Sequence, residues 1–138
     1  MLVIKSIKGL KVKTAPSYRG RKCKECITSK TWINCKLEPN DDCVEQAKVY
    51  TALNPTGQRM YWALKQLTEN GGRKVAIRDI DMADLIDTTT RTLFINSRIL
   101  STYGMVKTEI LSHAGKEIAY PRKCYTFIGV RDGDEKLE

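Results

Sequence analysis

Long apolar runs are missing from this chain of 138 residues. Its apolar stretches extend for only a few positions, as in Met1-Leu2-Val3-Ile4, against the roughly 20 that cross a bilayer. That excludes a membrane-spanning helix. The beginning of the chain also lacks the apolar segment of about 7–15 residues and the small-residue cleavage site of a secretory signal. The expected location is the cytoplasm, in association with the nucleoid. Proline (four) and glycine (nine) are scarce, while 41% of residues are hydrophobic and 29% charged, which argues for a folded globular chain and against a disordered one. Histidine is nearly absent: His113 is the single one. It has no Ser or Cys nucleophile at a recognisable spacing, and no glycine-rich phosphate loop occurs, so a binding protein is expected rather than an enzyme.

Acidic residues are almost absent from one end of the chain. Residues 1–36 hold ten Lys or Arg against the single acid Glu25, a local charge of +9, which leaves −1 for the other 102 residues. A basic block of this kind concentrates polyanions and displaces counterions from phosphates, so the first partner it suggests is nucleic acid. The plainer alternative is a solvated arm that aids solubility.

The length suits one main domain with a small appendage. Alternation of apolar residues with lysines predicts two short strands, Val3–Ile7 and Leu10–Lys13, around Gly9. A loop follows over Thr14–Gly20, with a further strand at Thr31–Leu37 and a turn at Glu38–Asp42. Cys43–Tyr50 suits either a helix or a strand. Asn54-Pro55 is a helix start, because an Asn side chain accepts from unsatisfied backbone N–H groups and proline suits the first helical position. Met60, Ala63, Leu64 and Leu67 then mark one buried face of a helix over 55–70, which Asn70-Gly71-Gly72 ends.

Arg73–Ile77 predicts a strand, and Asp79 is expected to cap a second helix reaching Ile86, with Ile80, Met82, Ala83 and Ile86 facing inward. Asp87-Thr88-Thr89 forms the turn before a third helix, Thr90–Tyr103, that stops at Gly104. Two alternating segments, Met105–Leu111 and Arg122–Val130, read as a hairpin around a loop containing Gly115 and Lys116, with Cys124 in the core.

The central run is Met82-Ala83-Asp84-Leu85-Ile86-Asp87-Thr88-Thr89-Thr90-Arg91-Thr92-Leu93, followed by Leu100 and by Gly104-Met105-Val106. Over about residues 54–130 it resembles the winged helix-turn-helix family of bacterial, phage and plasmid DNA-binding proteins. Many members read Leu-Ala-x-x-Leu-Gly-x-Ser-x-x-Thr-Val across the turn, and every spacing of that pattern is kept here. Ala83 is small enough for two helices to approach, Thr89 caps the third helix, and Leu93 and Leu100 hold it on the core. Three features depart from the pattern. Asp87 replaces the usual turn glycine, Asn96 and Ser97 stand where Ala and Leu are common, and Phe94 and Ile95 stand where polar residues are usual. Either the third helix is rotated or it presents Phe94 to a partner.

The resemblance implies a winged helix-turn-helix domain over 51–131; charge and alternation put a basic, Cys-containing, β-rich segment over 1–50 before it and an acidic tail, 132–138, after it, so the fold expected is α+β. It also implies double-stranded DNA as the partner. Thr90, Arg91, Phe94 and Ile95 would meet base edges, with Arg91 suited to guanine, while Arg98, Lys116, Arg122 and Lys123 would meet phosphates. Arg21, Lys22 and Lys24 of the basic segment would track the adjacent backbone. A homodimer would suit two half-sites. The function implied is a sequence-specific transcriptional regulator, with a plasmid or phage replication initiator as one alternative. A winged-helix protein-interaction module acting on a nucleic-acid enzyme is another, favoured by Asp79, Asp81, Asp84 and Asp87 and by the acidic Asp132-Gly133-Asp134-Glu135.

Four of the five cysteines, Cys23, Cys26, Cys35 and Cys43, fall within 21 residues. Four thiolates suit tetrahedral Zn2+, and the cations around Cys23 and Cys26 favour thiolates. The second pair is spaced too widely for a usual knuckle, which leaves His113 or Cys124 as substitute ligands. Buried apolar thiols and a reactive Cys23–Cys26 pair are the competing readings.

Overall fold

The computed structural model describes residues 1–18, 21–29, 41–111 and 122–130. Within them the order is β1 (Leu2–Val3), α1 (Arg21–Thr28), α2 (Asp41–Ala52), α3 (Pro55–Gly71), β2 (Lys74–Ile77), α4 (Asp79–Leu85), α5 (Thr90–Thr102), β3 (Val106–Leu111) and β4 (Arg122–Phe127). The fold is mixed α+β, with one sheet in the order β1-β2-β4-β3. β1 runs parallel to β2, and the other pairings are antiparallel.

Local chemistry sets the helix boundaries. Asn54 Oδ1 accepts from Gly57 N at 2.8 Å with Pro55 in the first turn, and α3 ends at Gly72 in the left-handed region (φ 75°). Thr89 Oγ1 accepts from Thr92 N at 3.2 Å and starts α5. Asp87, at φ 58°, takes the left-handed turn conformation that glycine usually fills. At the end of α5, Gly104 (φ 73°) lets Met105 N bond back to Leu100 O at 3.0 Å.

The start of α4 differs from expectation. Its N-cap position is Arg78, without a side-chain cap, and Asp79 is the first helical residue. Ile80 also differs: it is 55% exposed, while Asp81, Met82 and Ala83 form the buried side. Arg78 makes burial of Asp81 tolerable, its Nε lying 3.1 Å from Asp81 Oδ2. The C-terminal end of α4 is tied to α3, because Arg59 Nε donates to Ile86 O at 3.0 Å.

Sheet register decides which side chains enter the core. Val75, Ile77, Tyr125 and Val106 pack with Met60, Leu64, Leu93 and Leu100 from the helices. Ala76 pairs with Cys124 on the opposite face, where Cys124 is buried with its Sγ 3.6 Å from Met1 Sδ. Burial and the nearby Glu109 push the Cys124 thiol up from its ordinary value.

The N-terminal segment is less β-rich than expected. Among its described residues only Leu2–Val3 form a strand, whereas α1 and α2 are helical. The expected strand Thr31–Leu37 lies outside the described residues. The alternation of Ile7, Leu10 and Val12 with lysines has another cause: these apolar side chains pack against the core as an extended arm, leaving Lys5, Lys8, Lys11 and Lys13 exposed. Gly9 (φ 76°) turns the arm, with Leu10 N bonding Ile7 O at 2.9 Å, and Lys13 N donates to Gln66 of α3. Since Ile4 belongs to the main core, packing runs across the division at residue 50.

Candidate nucleic-acid interface

Helix α5 has two distinct sides. Leu93, Asn96, Ser97 and Leu100 are buried, whereas Thr90, Arg91, Phe94, Ile95 and Arg98 are exposed. The helix is therefore not rotated from the register that Leu93 and Leu100 predict. Phe94 is 54% and Ile95 49% exposed. No acid occurs in Thr90–Thr102, so the outer side is cationic and apolar together.

Phe94 is the meeting point of α5 and β4. Register puts Lys123 opposite Ile77 and Ile110, on the helix-bearing side of the sheet. Its Nζ lies 5.5 Å from the Phe94 ring centroid, and Arg98 Cζ lies 5.9 Å away. Both distances are within the range in which a cation is attracted to a ring face. Lys123 is only 11% exposed, and its Nζ is 3.6 Å from Asp79 Oδ1. It thus braces Phe94 and neutralises an acid of α4, where the sequence suggested a freely exposed phosphate contact.

Arg122 is also drawn inward, contrary to expectation. It is 5% exposed, and its Nε donates to Ile4 O at 3.2 Å. Consecutive side chains of a strand point to opposite faces, so Arg122 secures the N-terminal arm while Lys123 meets α5. Lys5 follows Ile4 directly and is exposed, which puts one arm cation near the end of β2, one strand away from β4. The four arm lysines belong to the basic block of residues 1–36, and their alternation with anchored apolar residues is what leaves them exposed.

Other predicted residues are more dispersed. Lys116 and His113 lie outside the described residues. Arg21 and Lys22 open α1, and Lys24 is exposed on it. α1 packs on α2, α2 on α3 and α3 on α5. Cys23 and Cys26 lie three positions apart in α1, and Cys43 lies in α2. Among the described residues no three His, Cys, Asp or Glu side chains gather as a metal site. Cys23, Cys26 and Cys43 therefore form no centre by themselves, and Cys35 lies outside the described residues.

A separate cleft of about 420 Å³ lies between the arm and helices α2 and α3, with Trp62, Glu45 and Lys65 among its walls. Its central charges satisfy one another. Glu45 accepts from both Lys65 and Tyr61, and Lys65 Nζ lies 5.5 Å from the Trp62 ring centroid. Burial, then the Glu45 carboxylate, holds the Tyr61 hydroxyl well above the ordinary tyrosine range. Comparison with protein-family models, with curated proteins and with solved structures returns no match to this chain.

Proposed function

We propose that residues 54–130 form a winged helix-turn-helix domain that binds duplex DNA as a sequence-specific regulator, with α5 in the major groove. The observation that carries this reading is the acid-free outer side of α5, where Thr90, Arg91, Phe94, Ile95 and Arg98 are exposed together. The order α3, β2, α4, α5, β3, β4 supports it, as does the β2-β4-β3 part of the sheet. In this reading Arg91 reads a guanine edge and Arg98 contacts phosphate. The exposed lysines of the arm add contacts to the DNA backbone, so binding energy and sequence reading come from different parts of the chain. The protein acts by binding, without a chemical step.

The test is a mobility shift of the full chain on duplex DNA at several salt concentrations. If four phosphates are neutralised, affinity falls about a hundredfold between about 50 and about 200 mM salt. Arg91→Ala relaxes sequence preference with little change in non-specific binding. Salt-insensitive binding, or none, overturns the proposal. A replication initiator would use the same surface and is distinguished by binding sites at an origin. Exposed Ile80, Phe94, Tyr103 and Ile110 favour a second reading, a protein-interaction module, which predicts no duplex binding at any salt.

A further inference from the structure

Phe94 and Ile95 invert the usual pattern of a helix on a core. Asn96 and Ser97, at 2% and 3% exposure, face inward, while the two larger apolar side chains face solvent. Resting on the function proposed above, we infer that Phe94 and Ile95 make α5 a reader of thymine, by packing against the C5 methyl group that thymine presents in the major groove.

Neither side chain has a donor or acceptor, so neither can distinguish base edges by hydrogen bonding. The thymine methyl is the one apolar group that a base pair projects into the major groove, and apolar contact is how it is read. Phe94 and Ile95 are separated by about 100° around the helix, so both lie on the outer side, with Arg91 one turn before Ile95 and Arg98 one turn after Phe94. The apolar centre is therefore bordered by guanidinium groups suited to guanine or phosphate. The cations also limit the occupant: Lys123 and Arg98 flank the Phe94 ring, α5 carries no acid, and Asp79 is already paired with Lys123. An apolar centre with a positive rim fits thymine-bearing DNA better than a purely apolar protein surface. The arrangement predicts sites in which thymine lies close to a guanine read by Arg91.

The experiment selects tight-binding duplexes from a random-sequence library with the full chain, then remakes the selected duplex with deoxyuridine at one thymine at a time. Uracil lacks only the methyl group. One or two positions should each lose about fourfold in affinity, the equivalent of one buried methyl group. Phe94→Ser should lose the preference for thymine at the position that Phe94 contacts, while Phe94→Leu keeps it there. Both substitutions are at an exposed position, and unchanged circular dichroism checks the fold. Equal affinity for thymine and uracil at every position, with binding otherwise intact, overturns the thymine reading alone. Failure to enrich any duplex overturns the DNA-binding proposal and this inference with it.

Discussion

Arg122 Nε donates to the carbonyl oxygen of Ile4 across 118 positions of sequence, joining the start of β4 to the end of β1. Arg122 is buried, and Ile4 N in turn donates to Ala76 O at 2.8 Å. Arg122→Met keeps much of the volume but leaves that carbonyl without its charged donor. It should lower stability by about 1–3 kcal/mol in urea unfolding. Hydrogen exchange at the Ile4 amide should accelerate, and an unchanged rate there would show that the arm is held independently of Arg122.

Gly57 sets how closely α3 approaches α5. A Cβ there would lie 3.1 Å from Asn96 Oδ1 and 3.3 Å from Leu53 Cβ. Gly57→Val needs still more room in the same place, and overpacking should cost about 1–3 kcal/mol despite the usual helical disadvantage of glycine. Thermal melts of the variant and the parent decide this, and an equal or higher Tm contradicts the packing account.

The helix caps should differ in what they affect. Asn54→Ala removes the acceptor for Gly57 N and should cost about 1 kcal/mol of global stability. Thr89→Ala, at the start of α5, should cost a similar amount and should also weaken DNA binding, because the exposed Thr90 and Arg91 lie in the turn it orders. Chemical unfolding and duplex titration together separate the two effects.

Neutralising Lys5, Lys8, Lys11 and Lys13 to Gln tests the arm without removing the apolar side chains that anchor it. Deleting residues 1–36 would also remove Ile4 from the core and Ile7, Leu10 and Val12 from its edge. Each of the four substitutions should change stability by no more than about 0.5 kcal/mol, as exposed substitutions usually do. The slope of log affinity against log salt should fall by about one for each lysine that contacts phosphate. A slope unchanged by all four substitutions would remove the arm from the interface.

Alkaline titration should distinguish two of the six tyrosines. Tyr61 and Tyr125 are fully buried, and both hydroxyls are shifted upward, chiefly by burial, then by Glu45 and Asp79 respectively. A hydroxyl that titrates higher in the folded state contributes stability that is complete below the unfolded value, about 10, and is lost as pH rises above it. Phenolate absorbance should therefore develop in two stages, with the second coinciding with loss of helical circular dichroism. Tyr61→Phe should reduce the amplitude of the second stage.

The features legible in the sequence were those whose cause is local. Asn54-Pro55, Thr89 and Gly104 mark helix ends through chemistry confined to a few residues, and the structure puts boundaries there. Leu93 and Leu100 likewise predicted the buried side of α5. The exposure of Ile80 was not legible because helical periodicity does not show that Asp81, paired with Arg78, takes an inward position. The arm's alternation predicts two longer strands because the same alternating burial arises from an extended chain lying on a core.

Composition and local pattern by themselves determined the ends of α3 and α5 to within a residue, the hairpin strands and the concentration of positive charge at one end. Tertiary structure decided which cations remain available. Arg122 and Lys123 look equivalent in sequence, yet strand geometry sends one to Ile4 and the other to Phe94 and Asp79. The outer side of α5 keeps Arg91 and Arg98 exposed because the core takes Leu93, Asn96, Ser97 and Leu100 from the same helix. Such choices depend on partners distant in the chain, and only the packed sheet and helices bring them within reach.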